Sequence, residues 1–394
     1  MIKNLLKKDG VSSKIVLIVL DGLGGLPIKD GMTELEIAKT PNLDKIVSFS
    51  ATGCHIPVDF GITPGSGPGH LALFGYDPTK FQIGRGILEA LGLGLEVGPY
   101  DITARGNYAT IDKDGKVVDR RAGRIKTEEN IEITQKLSQA IKNLPISIKS
   151  GKEHRLGLVF HFNKPVESTL KDTDPQSEGL FPKEPEGNDD ASKLIREFLS
   201  IVKKVLKDQE KANYILLRGF ARMPEIESFN SKFNLKSCAI AVYPMYKGIA
   251  KLVGMEVLNS NGESFKDQIN TLKSAWGDYD FFFLHYKKTD SAGEDGNYEL
   301  KISAIEEFDS YLPEIMSLNP NVIAITGDHS TPSIMKSHSW HPVPVLIYSK
   351  FTLGKTSQRL TERECLKGEL GIFPTYKLIN YLLAHSLRLE KFGA

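Results

Sequence analysis

Cysteine is scarce in this chain of 394 residues: Cys54, Cys238 and Cys365 are the three present, far apart and without a CxxC pair. That excludes a disulfide scaffold or a cysteine zinc finger and predicts a reducing, cytoplasmic setting. An excess of one charge is also missing. Lys plus Arg is 50 and Asp plus Glu is 49, a net charge of +1, which excludes bulk attraction to nucleic acid or to an anionic membrane. Long apolar runs are absent as well. The longest, 15–20, falls far short of the ~20 residues a membrane span needs, and the basic stretch 1–14 lacks the apolar core of a secretory signal. Neither nucleic acid nor membrane is therefore expected as a partner. There is no internal repeat, low-complexity segment or heptad, so nothing fixes an oligomeric state. What is there, 40% hydrophobic and 25% charged residues, is the balance of a globular protein. At roughly 150 residues per domain, the length predicts two or three domains.

Four apolar runs organise the chain. IVLIVL at 15–20 runs into Asp21-Gly22, and FFFLH at 281–285 leads to Lys287-Lys288-Thr289-Asp290. VIAIT at 322–326 runs into Gly327-Asp328-His329, and VPVLIY at 343–348 follows a His-rich stretch, 337–341. The first three are short, continuous and rich in β-branched or aromatic residues, as strands buried on both faces of a mostly parallel sheet are. Polar residues just beyond such strands stand where ligand sites of open α/β sheets form. Helices are predicted from Thr40-Pro41 to Phe49, with Thr40 as the N-cap, over 301–316 and over 375–389. The middle reads differently, with strands near 108–111, 156–162, 214–217 and 239–242 and helices at 128–144 and 189–206. A polar, Pro/Gly-rich loop lies between Phe162 and Asp190, long enough to be a linker, a lid or a binding loop. The expected architecture is α/β: one domain formed by 1–97 and 244–394, split by an inserted α+β domain, 98–243.

Asp21, Asp290, Asp328, His329, His338 and His341 converge on one edge if the apolar strands are neighbours. Their carboxylates and imidazoles then suit two divalent metals bound through oxygen and nitrogen. Asp21 alone would read as a turn former; three strand-end aspartates beside GDH and HSWH favour metal. Ser66 lies in TPGSGPGH, just before an apolar stretch. A serine at a helix N-terminus can meet a phosphate, or act as a nucleophile beside a metal. Taken alone, the motif is equally a flexible Gly/Ser turn. Arg120, Arg121 and Arg124 in DRRAGRI, His154-Arg155 in KEHR, Arg218 in LLRGF and Lys247 in PMYKG form a basic set suited to phosphate or carboxylate. Asp172 and Asp174, in KDTDP, read either as site residues or as an Asx turn in the long loop. His55, His161 and His385 stand alone and read as structural, Trp276 and 281–283 read as core, and 84–98 contains no dinucleotide fingerprint.

These segments together resemble the archaeal-type, cofactor-independent phosphoglycerate mutases of the alkaline phosphatase superfamily. The resemblance is carried by LIVLDGLGGLP, TPGSGPGHLALFGYDP, GRGILEALG, ARGNYATID, DRRAGRI, KKTDSAG, TGDHSTP and HPVPVLI, in the family's order over 14–348. It implies an alkaline-phosphatase-like domain carrying two metals, an inserted domain that closes over substrate, and a phosphoserine intermediate at Ser66. One metal would be held by Asp21, Ser66, Asp328 and His329, the other by Asp290, His338 and the residue at 294. Asn107, Arg121, Arg124, His154 and Lys247 would contact substrate, joined in the basic reading by Arg155 and Arg218 and by Asp172 and Asp174. The chain departs from the family at Glu294 and at Gln176, where histidine is expected. Glu294 and His341 are therefore alternatives for completing the second metal site.

The implied cofactors are two divalent ions, Mn²⁺ first and Mg²⁺, Co²⁺ or Zn²⁺ otherwise, with no 2,3-bisphosphoglycerate. The implied partner is a small phosphorylated substrate, phosphoglycerate, whose 3- and 2-isomers are interconverted. Three other readings use the same residues: a phosphatase or sulfatase, a phosphotransferase with another acceptor such as homoserine, and a binding protein without catalysis.

Overall fold

The computed structural model describes residues 2–7, 12–81 and 83–393. They divide into two compact units. The first, 1–81 with 227–242 and 253–394, is built on an eight-stranded sheet. Its order is Gly371–Pro374, Ser50–Ile56, Val343–Ser349, Val322–Thr326, Ile15–Leu20, Phe281–Tyr286, Ser237–Ile240 and Glu256–Leu258. Every pairing is parallel except the two made by Val343–Ser349. The apolar runs form the buried centre, as their composition requires: 15–20, 281–286 and 322–326 are inaccessible along their whole length. Helix Tyr298–Met316 covers the sheet with Ile305, Phe308, Leu312 and Ile315, while Phe265, Ile269 and Leu272 add a second apolar stripe to the same core.

Register decides where the chemistry falls. Leu20 pairs with Tyr286 and Val19 with Thr326. Asp21, Lys287 and Gly327-Asp328 therefore leave the sheet side by side. The α/β class and the mostly parallel sheet are as expected from sequence.

The second unit, 82–226 with 243–252, holds a five-stranded antiparallel sheet. Its central strand, Ile102–Ile111, pairs with Arg155–Phe160, Tyr214–Ala221 and Val117–Asp119, and Ile146–Ser150 extends it. Helices Thr127–Ala140 and Asp190–Leu206 bury Ile133, Leu137, Ile195, Phe198 and Val202 with Tyr108, Phe160 and Leu217.

The inserted unit does not begin at 98 or end at 243. Helix Arg85–Gly92 packs on Ile102–Ile111, so the edge falls at 81/82. Residues 227–242 return to the first sheet, because Ser237–Ile240 pairs with 281–284. Helix Pro244–Leu252 belongs to the second unit, packed on Arg85–Gly92. Several elements also differ in extent. The helix after Thr40 spans Pro41–Val47, and Thr40 hydrogen-bonds Asp44 rather than capping it. Asn297 caps Leu300, which starts the next long helix at 298. The last helix is Leu378–His385 behind one 3-10 turn. The long loop is docked: Thr173 donates from its amide to Leu217 O (2.9 Å) and accepts at Oγ1 from Leu217 N (2.8 Å). Among the described residues, no helix is long and apolar enough to cross a membrane.

Candidate active site

Asp21 is fully buried, and its backbone carbonyl accepts from Thr289 Oγ1 at 2.6 Å. The next residue must be glycine. Gly22 has φ +65°, and a Cβ there would lie 2.4 Å from Thr331 Oγ1 and 2.8 Å from Asp290 Oδ1. Its amide donates to Asp328 Oδ1 (3.2 Å). Ser66 opens helix Ser66–Leu73 after an extended Gly65. That helix rests on the turn at Asp328, since a Cβ on Gly69 would meet Asp328 O at 2.5 Å. Ser66 Oγ consequently stands 3.2 Å from His329 Nε2.

Two groups of ligand-type atoms converge here, Asp21 with Asp328 and His329, and Asp290 with His329 and His338. His329 Nε2 lies 3.3 Å from Asp21 Oδ1 and 3.2 Å from Asp328 Oδ2. His338 Nε2 lies 3.6 Å from Asp290 Oδ1 and 3.7 Å from Glu294 Oε1. The hydrogen bonds fix which nitrogen faces inward. Pro64 O can only accept, so His338 Nδ1 carries the hydrogen (2.9 Å). Thr331 Oγ1 gives its proton to Asp290 Oδ1 (2.7 Å) and therefore accepts from His329 Nδ1 (3.0 Å). In both rings Nδ1 is committed to these bonds, and Nε2 is the nitrogen that faces the carboxylates.

Electrostatics keep Asp21, Asp328 and His329 in their binding forms. Burial alone would raise the Asp21 carboxyl. Lys287, 3.0 Å from its Oδ2, and His285, also at 3.0 Å, overcome that and hold it well below the usual range. Burial and the neighbouring Asp21 would raise Asp328, but His329 and His70 bring it below the usual range. Burial lowers His329 despite Asp328 and Asp21, so its ring is neutral at pH 7. The donor set is carboxylate oxygen, imidazole nitrogen and one hydroxyl, with no thiolate. Three buried carboxylates facing imidazole nitrogens fit a divalent cation of the Mg²⁺, Mn²⁺, Co²⁺ or Zn²⁺ kind.

His341 is in neither group. Its Nδ1 lies 3.1 Å from Ser339 Oγ, and its ring stacks on Trp340. Glu294, next to His338, is the nearer candidate; burial and the neighbouring Asp290 raise its carboxyl. Sequence reasoning missed Lys287, which bridges Asp21 and Asp290 Oδ2 (2.5 Å), although it precedes Asp290 by three residues. It also missed His285 and His70. His70 Nδ1 is 3.1 Å from Asp328 Oδ2 and 2.9 Å from Ser66 O. Its position four residues beyond Ser66, on the same helical face, was an available signal.

The isolated histidines are structural. His161 bonds Asp101 and Ser147, and His385 bonds Ser349. Trp276 stacks on Phe282. His55 is buried between Thr375 Oγ1 (2.5 Å) and Thr326 Oγ1 (2.7 Å). Burial pushes it down to about 3 from 6.5. Below pH 6.5 the unfolded chain therefore binds a proton that the folded chain refuses. This contribution is complete above pH 6.5 and is lost as pH falls towards 3, by up to about 1.4 kcal/mol per unit. Urea titrations at pH 7 and pH 5 check this: His55→Gln is expected to be less stable at pH 7 and to lose less on acidification.

In the second unit, Arg121 and Arg124 flank a left-handed turn. Ala122, Gly123 and Arg124 have φ of 47°, 61° and 51°. The Asp119 carboxylate holds it by accepting from the amides of Arg121 (2.7 Å) and Gly123 (2.6 Å). His154 is buried and pushed down to about 4, by burial first and then by Arg155, Arg105, Arg121 and Arg124. His154 Nδ1 and Asn107 Oδ1 are buried without a hydrogen-bond partner among the described residues. Arg105, which sequence reasoning passed over, is lowered to about 10 by burial, with Arg155, Arg85 and Arg218 adding repulsion. Guanidinium groups gathered around unsatisfied polar atoms suit an anion. Lys247 sits on helix Pro244–Leu252 of the same unit. Asp172 and Asp174 go with the loop reading. Asp174 takes a two-point contact from Arg120 (2.9 and 2.8 Å), and Asp172 Oδ1 accepts from Gly219 N (2.7 Å). Gln176 Oε1 accepts from Arg120 and Arg218, so Arg218 is engaged there too.

Residues 13–384 match the family model of the metalloenzyme superfamily. A protein of Aquifex aeolicus (strain VF5) described as "Probable 2,3-bisphosphoglycerate-independent phosphoglycerate mutase" is 61% identical over 407 aligned residues, covering 100% of both chains. Among solved structures, the PH0037 protein from Pyrococcus horikoshii matches with a TM-score of 0.84 and 30% identity, covering 98% of this chain and 100% of that one. The cofactor-independent phosphoglycerate mutase from Thermoplasma acidophilum DSM 1728 matches with a TM-score of 0.72 and 30% identity, covering 95% and 100%. The chain belongs to the metalloenzyme superfamily and, within it, to the 2,3-bisphosphoglycerate-independent phosphoglycerate mutases.

Proposed function

We propose that this chain interconverts 3-phosphoglycerate and 2-phosphoglycerate, as an isomerase that passes the phosphoryl group through Ser66. The observation that carries the reading is the placement of Ser66 Oγ 3.2 Å from His329 Nε2, at the edge of the carboxylate–imidazole cluster. Asp21, Ser66, Asp328 and His329 would hold one divalent ion, and Asp290, His338 and Glu294 the other. When bound, such ions neutralise phosphoryl charge and make a serine hydroxyl more acidic. Mn²⁺ is the proposed ion, and the cytoplasm the proposed location.

The chain's own residues supply the rest. Ser66 Oγ attacks phosphorus and gives up its proton, an Oγ–phosphorus bond forms as the bond to the glycerate oxygen breaks, and over the step the proton lost by Ser66 ends on that oxygen. The first-turn amides of helix Ser66–Leu73 favour the phosphoryl oxygens. Lys287 keeps its proton beside Asp21 and Asp290, because their charges outweigh its burial. The glycerate must stay bound, turn, and accept the phosphoryl group on its other hydroxyl. Arg121, Arg124, Arg155, Arg105 and Lys247 would hold its carboxylate, with the neutral His154 and Asn107 bonding its hydroxyls. Exclusion of water protects the phosphoserine from hydrolysis. Asp119→Ala, which frees the turn carrying Arg121 and Arg124, is expected to raise KM for 3-phosphoglycerate about tenfold with kcat little changed; steady-state kinetics check it.

The test uses metal-stripped protein, 3-phosphoglycerate and no 2,3-bisphosphoglycerate. Mn²⁺, Mg²⁺, Co²⁺ and Zn²⁺ are restored separately, with 2-phosphoglycerate read by coupling to enolase and free phosphate read in parallel. Metal-dependent 2-phosphoglycerate without phosphate release is expected. Phosphate without 2-phosphoglycerate would make the chain a phosphatase instead.

A further inference from the structure

Behind the cluster lies a second set of charges that the reaction does not use. Lys301 is completely buried, on the same helical face as Ile305, Phe308 and Leu312. Its Nζ donates to Gly24 O (3.0 Å) and to Thr331 O (2.8 Å). Gly24 closes the turn that begins at Asp21, and Thr331 stands two residues beyond His329. Glu34, also completely buried, accepts at Oε1 from Ser333 N (3.0 Å) and Ser333 Oγ (2.6 Å). Glu362 accepts from Gly25 N (2.7 Å) and from Thr33 Oγ1 (2.7 Å). Three side chains from three helices thus hold the backbone of the two turns at 21–25 and 328–333. The turns are also joined directly, Thr331 N donating to Gly24 O (3.1 Å).

We infer that Lys301, with Glu34 and Glu362, is a positioning cluster that sets the spacing of the two turns carrying Asp21, Asp328 and His329, and so the metal affinity of the site. The inference rests on reading those three residues as ligands. A buried ammonium is costly unless it is paired and bonded. Here it bonds one carbonyl from each turn, so it holds them at one separation. Burial pulls Lys301 below the usual lysine range while Glu34 and Glu362 oppose that, as expected for charges sharing one interior. A lysine whose only task was core packing would not need to meet both ligand turns. Groups that orient ligands in this way typically change metal affinity 10–100-fold when removed.

The experiment titrates Mn²⁺ alone into metal-stripped, full-length protein by calorimetry, so it does not depend on turnover. Lys301→Met is expected to raise the Mn²⁺ Kd about 10–100-fold. Lys301→Met with Glu34→Gln removes one charge of each sign, so the fold is less burdened, and the same loss is expected. Ser333→Ala deletes one hydroxyl and folds in either case; about a threefold weakening is expected. Circular dichroism and Tm separate folding from binding. Wild-type affinity in the folded double variant or in Ser333→Ala would overturn the inference. Failure of the wild type to bind Mn²⁺ would instead overturn the metal reading on which it rests.

Discussion

Ser66→Ala is expected to lower kcat on the order of 10⁶-fold, the scale seen when a covalent nucleophile is deleted. The hydroxyl has no substitute. Ser66 carries the one hydroxyl of helix Ser66–Leu73, and it stands 3.2 Å from His329 Nε2. The change should leave the fold intact. Alanine suits a first helical turn, and no hydrogen bond that supports the sheet depends on the Ser66 hydroxyl. An unchanged Tm with lost turnover, in the coupled assay with restored Mn²⁺, is the expected pair of results. Residual mutase activity within about tenfold of wild type would mean that the phosphoryl group moves without Ser66.

The second large effect is expected at Asp328. Its carboxylate is fully buried, with Oδ2 3.1 Å from His70 Nδ1 and 3.2 Å from His329 Nε2, and Oδ1 accepting from Gly22 N. Asp328→Asn keeps the shape and removes one negative charge. Without metal, that change removes repulsion from Asp21 but also the attraction of His329 and His70, which outweighs it, so the stripped variant should be no more stable than the stripped wild type. With metal the two should diverge. A ligand at 100 times its Kd stabilises a fold by about 2.7 kcal/mol, and Asp328→Asn is expected to lose most of that gain together with at least about 10³-fold in kcat/KM. Thermal melts of both proteins with and without Mn²⁺ measure the difference. An equal rise in Tm on adding Mn²⁺ would remove Asp328 from the metal site.

The parallel strands and the residues at their ends were legible because one local feature encodes both. Runs such as IVLIVL, short and rich in β-branched residues, read as strands buried on both faces, and the polar residues that follow them then leave at the sheet's edge. Ser66 was legible only as a serine before an apolar stretch: its small neighbours read equally as a flexible turn, and its role as nucleophile came from the family resemblance. The supporting residues were not. Lys301 falls in a helical repeat where a lysine reads as solvent-facing, and only the packing of that helix brings it under both ligand turns. His285 and His70 act through register, since one lies on a strand beside the strand of Asp21 and the other packs against Asp328. The boundary at 81/82 was hidden for a similar reason. Helix Arg85–Gly92 follows the first domain in sequence, but it packs on the strand that comes after it, where a Cβ on Gly86 would lie 2.8 Å from Ala104 Cα. Asp172 and Asp174 were ambiguous because the same Asx pattern serves a turn and a site; Asp174 bonds Arg120 and Asp172 bonds the Gly219 amide.

The central claim is that the phosphoryl group rests on Ser66 between leaving one glycerate hydroxyl and joining the other. The direct measurement is an acid quench of Mn²⁺-loaded enzyme during turnover of 3-phosphoglycerate, with the phosphorylated residue mapped by mass spectrometry of its peptides. A single phosphoserine at Ser66, forming at least as fast as 2-phosphoglycerate appears, is the predicted result. Steady turnover with no phosphoprotein, or with phosphate on another residue, would contradict it.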